Sequence, residues 1–132
     1  MQEIHLQTNS RIEMIDITAS VQAVIDGKKI SNGFCIIFAP HTTAAITINE
    51  NADPDVPHDI MAALDRLVPQ NANYRHTEGN SPAHVKSSLI GASELVLIQN
   101  SRLVLGTWQS IFFCEFDGPR SRRALVSIIA SE

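Results

Sequence analysis

The strongest constraint on this chain lies in its C-terminal third. Four short apolar runs, ELVLIQ, RLVLG, WQSIFFCEF and RALVSIIA, follow one another there, with turn chemistry at Asn100-Ser101, Gly106 and Gly118-Pro119 between them. Runs of this length, rich in Val, Ile, Leu and Phe, read as strands. Connections this short leave no room for a crossover helix, so successive strands must be antiparallel. The spacing predicts a meander, and antiparallel sheet becomes the frame around which the rest of the chain is arranged.

Upstream, EIHLQT and RIEMIDIT alternate apolar and polar residues on either side of Asn9-Ser10 and predict an opening pair of strands. Thr18 is placed to cap a short helix carrying Val21, Val24 and Ile25, closed by Gly27 and a Lys pair that suits the negative end of a helix dipole. The continuous run over 34–39 reads as a strand buried on both sides, and AAITIN as another alternating strand beyond the corner at His41. Asp53 or Asp55 is expected to cap a helix with Val56, Ile60, Leu64 and Leu67 as its apolar stripe, ending before Pro69. A long polar loop from Gln70 to Asn80 follows, and Ser81-Pro82 then opens a short helix that stops at Gly91. The expected class is α+β: a mostly antiparallel sheet or sandwich with two or three short helices, in one domain over 1–132.

Composition serves mainly to exclude. Ten basic against fourteen acidic residues, a formal charge of −4, give no broad electropositive face, so nucleic acid is not an expected partner. No run approaches the roughly 18 apolar residues of a membrane span, and MQEIHLQTNS lacks a basic region followed by an apolar one. No membrane partner and a cytoplasmic location are therefore expected. Cys35 and Cys114 sit inside apolar runs without CxxC spacing and read as buried thiols.

The chemistry-bearing side chains are concentrated elsewhere. Four of the five histidines, His41, His58, His76 and His84, lie between residues 41 and 84, together with Glu50, Asp53, Asp55, Asp59 and Glu78. Imidazole and carboxylate are the usual ligands of zinc and the usual proton carriers near neutral pH. No HExxH or paired CxxC fixes a ligand set by spacing. His41 occupies a strand-end corner, where rigid scaffolds commonly display site groups, whereas His5 and His58 read equally as solvated positions. His84 stands near the positive end of its short helix, which favours a neutral ring. The same helix, with Lys86, Ser87 and Ser88, is a weak phosphate cradle. Arg122 and Arg123 on an alternating strand should face opposite sides, so one of them at most serves a given site.

Three blocks in order, HTTAAITINENADPDVPHD, NYRHTEGN with PAHVKSS, and LGTWQSIFFCEFDGPRSRR, resemble the YjbQ family, whose members are known as secondary thiamine-phosphate synthase enzymes. The resemblance implies a small α+β domain assembling as a homotrimer around a polar pocket. It implies catalytic roles for His41, Glu50, His58 and Asp59. Substrate or phosphate contacts would fall to Thr42, Thr43, Asn49, Asn51, Asp53, Lys86, Ser87, Gln109 and Arg122. Some of His41, His76 and His84, or else Glu50 and Asp53, would hold a divalent metal, zinc or magnesium. The implied reaction joins an aminopyrimidine pyrophosphate to a thiazole phosphate and releases pyrophosphate. The alternatives are a metal-dependent phosphatase or hydrolase of a small phosphorylated metabolite, and a non-enzymatic small-molecule-binding trimer.

Overall fold

The structure, a computed structural model, describes residues 1–131. Eight strands and three helices appear in the order β1 (Gln2–Gln7), β2 (Glu13–Asp16), α1 (Thr18–Lys28), β3 (Gly33–Phe38), β4 (Ala44–Glu50), α2 (Asp55–Leu67), α3 (Ser81–Ile90), β5 (Ser93–Gln99), β6 (Arg102–Leu103), β7 (Gln109–Glu115) and β8 (Ser121–Ala130). The strands form a five-stranded sheet in the order β1-β8-β3-β5-β6 and a three-stranded sheet in the order β2-β7-β4. Every pairing is antiparallel, so the expected α+β class with antiparallel sheet is what the chain forms.

The connections differ from the expected hairpins. Of the C-terminal strands only β5 and β6 pair with each other; β7 joins β2 and β4, and β8 returns to lie between β1 and β3. The opening strands separate in the same way, β1 pairing with β8 and β2 with β7. Turn chemistry is local and does not say which sheet the next strand enters. At the first turn the Glu13 carboxylate accepts the N–H groups of Asn9 (2.6 Å) and Ser10 (2.7 Å), which redirects the chain from one sheet to the other.

The three-stranded sheet is the middle layer, and this decides which strand is buried on both faces. From β7, Ile111 and Phe113 enter the core between the sheets with Cys35, Ile37, Ile46, Ala124 and Val126. Phe112 and Cys114 turn to the other face and pack with Ala45, with Leu64 of α2 and with Ala83 of α3. The two-sided burial expected of β3 therefore belongs to β7. On β3 only alternate residues are buried, while Ile36 and Phe38 point outward beside Leu95, Leu97 and Ile129. No element of this chain covers that outer apolar face among the described residues.

Two details of the helices also shift. Thr18 does not cap α1: its hydroxyl accepts the N–H of Ile111 (2.8 Å), while Asp16 Oδ1 accepts the N–H of Thr18 (2.9 Å). On α2, Leu67 is exposed and the chain buries Val68 in its place, just past the helix end.

Cys35 and Cys114 are free thiols with no exposed surface to speak of, and burial pushes their pKa values up to about 11 and about 12. The thiolate is the reactive form, so both are chemically silent in the folded chain. A colourless-to-coloured thiol reagent such as a dithiobis-nitrobenzoate should label neither in the native protein and both after denaturation. Rapid native labelling of either would contradict the buried assignment.

Candidate functional site

The ends of β7 and β8 meet at one edge of the sandwich, and the densest polar network of the chain forms there. Glu115, the last residue of β7, is wholly buried. Its carboxylate accepts from Arg122 Nε (2.8 Å) and Nη2 (2.5 Å), from the Thr8 hydroxyl (2.9 Å) and from the backbone N–H of Asp117 (2.9 Å). Arg122 Nη2 also reaches the Thr43 hydroxyl (2.7 Å) and carbonyl (3.2 Å) at the corner before β4. Four segments from both sheets are thereby joined through two charges. Burial raises the Glu115 carboxyl, but the hydrogen bonds from Arg122, the Asp117 N–H and Thr8 outweigh it and hold the pKa below its ordinary value. Gly118 permits this closeness, because a Cβ there would stand 2.7 Å from the Thr8 hydroxyl oxygen and 2.8 Å from Glu115 Cγ.

Above this network lies a cleft of about 650 Å³, whose lining includes Phe38, His41, Thr43, Asn80, His84 and Arg122. Glu78, Asp117 and Arg120 complete its charged rim, with Arg120 Nη2 donating to Asp117 (3.1 Å). His41 Nε2 is 3.1 Å from both the N–H and the carbonyl oxygen of Arg123. With the ring proton on Nδ1, Nε2 accepts the N–H; with the proton on Nε2 it donates to the carbonyl. Burial lowers the His41 pKa, and the Arg122 charge lowers it further, so the neutral ring is favoured near pH 7. Its ring meets Phe113 edge-on at 6.2 Å.

The expected site residues divide into five places. His41, Thr42, Thr43, His84 and Arg122 line this cleft together. Asn49, Glu50, Asn51 and Gln109 sit at the opposite end of the three-stranded sheet, where Glu50 pairs with Gln109. Seven residues of strand separate the two ends, roughly 20 Å at the usual rise. Asn51 donates to Asp16 (2.9 Å) there, and Asp53 accepts the N–H of Asp55 (2.9 Å) beside the start of α2. His58 and Asp59 are exposed neighbours on α2, 3.4 Å apart, beside a separate apolar cleft. Lys86 is almost fully buried and paired with Asp65 of α2, on the far side of α3 from the cleft, so it ties helix to helix.

His76 stands with its ring 5.2 Å from that of His84, at right angles, and 3.7 Å from Glu78. It lines a second cleft of about 510 Å³ formed by the loop 70–81. Among the described residues no group of three His, Cys, Asp or Glu converges as a metal ligand set. The donors that converge among the described residues are thus an imidazole pair and do not fit a closed metal centre.

Sequence reasoning passed over Glu115, Thr8, Asn80 and Phe38. Glu115 carries a readable signal, a lone charge inside IFFCEF, since a buried charge requires a partner. Thr8 and Asn80 carry none, because their roles depend on which strand ends meet.

The family of the chain is decided by comparison with known proteins. Residues 2–131 match the family described as UPF0047 protein YjbQ-like. The chain belongs to the YjbQ/UPF0047 family. A UPF0047 protein of Methanocaldococcus jannaschii is 52% identical over 127 residues, covering 96% of this chain and 92% of the relative. The UPF0047 protein YugU of Bacillus subtilis is 49% identical over 130 residues, with 98% of each chain covered. A solved YjbQ/UPF0047 structure from Clostridium acetobutylicum superposes with a TM-score of 0.96 at 51% identity, covering 98% of this chain and all of that one. A YjbQ-like protein of unknown function from Sulfolobus solfataricus superposes with a TM-score of 0.94 at 33% identity, covering 98% and 96%.

The Glu115 carboxylate ties stability to pH with a definite sign. A carboxyl whose pKa is depressed by folding stabilises the native state above its unfolded value, near 4.5, and loses that contribution as pH falls through the folded value. Denaturant unfolding between pH 7 and pH 3 should show stability dropping on the acid side, with a shallower drop in Glu115→Gln. An identical acid limb in that variant would remove Glu115 from the explanation.

Proposed function

We propose that the cleft binds a small phosphorylated metabolite and that the chain is a transferase of the thiamine-phosphate-synthase type. The observation that carries this reading is Arg122. Its guanidinium is almost wholly buried, its Nε and Nη2 are engaged, and among the described residues its Nη1 donates to no protein group while the side chain lines the cleft. An unspent donor on a fixed cation, beside two imidazoles, is a seat for a phosphoryl oxygen.

In this reading the thiazole nitrogen attacks the exocyclic methylene carbon of the aminopyrimidine pyrophosphate. The carbon–oxygen bond to pyrophosphate breaks, and the electron pair leaves with the pyrophosphate oxygen. Arg122 Nη1, with Arg120 at the rim, stabilises the charge growing on that oxygen, and the rings of His41 and His84 supply hydrogen bonds beside it. The exchange is balanced without an added oxidant or proton carrier. No step is routed through a metal, because the imidazole pair of one copy is not a ligand set.

The homotrimer implied by the resemblance finds support in the outer face of the five-stranded sheet. Ile36, Phe38, Leu95, Leu97 and Ile129 remain between 36% and 57% exposed there, a contiguous apolar surface of the kind that marks an interaction site. Phe38 belongs both to that face and to the cleft, so a second copy seated on the face would form a wall of the cleft.

Incubating purified protein with both thiamine precursors and magnesium should yield thiamine phosphate, and His41→Ala should reduce the rate by about a hundredfold or more. Product no greater than the variant's would sink the transferase reading. Release of inorganic phosphate from the same mixture would favour the hydrolase instead. In sedimentation, Ile36→Glu combined with Leu97→Glu should convert a three-copy particle to single copies; an unchanged particle would show that this face does not hold copies together.

A further inference from the structure

Glu115 touches no part of the cleft surface, yet the orientation of the Arg122 guanidinium depends on it. Arginine ordinarily recognises phosphate through a two-nitrogen fork. Here that fork, Nε with Nη2, is turned inward onto Glu115 at 2.8 and 2.5 Å. Glu115 is in turn held by the Thr8 hydroxyl, which accepts the N–H of Arg120 at 2.9 Å and has two acceptors for its own proton, the Glu115 carboxylate at 2.9 Å and the Arg120 carbonyl at 3.1 Å, the carboxylate being the nearer and the charged one. Thr8 is 1% exposed and lies outside the cleft lining. With no Cβ at Gly118, the three groups close into one seat.

We propose that Glu115, backed by Thr8, is a positioning residue: it holds the Arg122 fork away from the cleft so that Nη1 alone is presented to one phosphoryl oxygen. The inference rests on the phosphate reading given above and narrows it. A single directed donor selects a ligand by the placement of one oxygen, whereas an open fork would accept any carboxylate or phosphate. The Glu115 charge also neutralises Arg122, so the cleft attracts anions through this directed bond more than through net charge.

The two roles of Glu115 make opposite predictions. If it acted only as a counter-charge, removing that charge would strengthen anion binding. If it positions Arg122, removal weakens binding because the fork is released. Inorganic pyrophosphate is a suitable calorimetric probe for the unaltered chain and for Glu115→Gln, Thr8→Val and Thr8→Ser, with the Arg122 Nε–Hε signal followed by NMR. Glu115→Gln is expected to bind pyrophosphate about tenfold more weakly, with the Nε–Hε signal shifted or broadened. Thr8→Val should weaken binding in the same direction, while Thr8→Ser, which keeps the hydroxyl, should match the parent. Equal or tighter binding by Glu115→Gln would overturn the proposal. If that variant does not fold, equal affinities of the two Thr8 variants would overturn it instead. Absence of binding by the unaltered chain would defeat the phosphate reading and this inference with it, whereas parental binding that all variants retain would defeat this inference alone.

Discussion

The ion pair between Glu115 and Arg122 is the constraint from which the site follows. Both charges are taken out of water, at a cost that in general equals or exceeds their mutual attraction unless every remaining hydrogen-bonding position is filled. Here the carboxylate receives four donors, and the four guanidinium bonds go to other segments, two to Glu115 of β7 and two to Thr43 at the corner before β4. Such a pair adds little net stability over a well-packed apolar substitute, but it fixes one geometry. Removing either partner would strand the other, so β7, β8, the Thr43 corner and the segment after β1 are held in a single arrangement. The cleft is the surface of that arrangement.

Much of the fold was legible in the sequence because strand and helix periodicities are local. The eight strands include all of the runs that read as strands, and α3 begins at Ser81 and stops before Gly91 as Ser-Pro and Gly predict. What local pattern does not carry is sheet membership. WQSIFFCEF and RALVSIIA look like partners in a hairpin, yet the first is the centre of the three-stranded sheet and the second lies between β1 and β3 in the other sheet. Continuous apolarity was likewise ambiguous. In β7 it reflects two buried faces, whereas in β3 it reflects one buried face and one that none of the described residues covers.

The candidate site was legible in its residue types and less so in its grouping. His41, Thr43, His84 and Arg122 do converge, and the alternation of Arg122 and Arg123 correctly left only the first inside. Asn49, Glu50, Asn51 and Gln109 share a block of sequence with His41 but lie a strand length away, since a strand carries its two ends apart as surely as it brings its neighbours together. Lys86 looked like a phosphate ligand by its place two residues after His84. On a helix that spacing points the two side chains to nearly opposite sides, and Lys86 is turned to Asp65. Glu115, the residue on which the geometry turns, was visible only as a charge interrupting an apolar run.

The most direct measurement is an NMR titration of the unaltered chain with pyrophosphate, following the guanidinium signals of Arg122 and the imidazole signals of His41 and His84. A phosphate seat at Nη1 requires these groups to shift together, saturating at one affinity, with the signals of the loop around Tyr74 and of the far-end Gln109 unaffected by direct contact. Shifts confined to the loop cleft or to the far end, with Arg122 unmoved at saturation, would contradict the assignment of the site.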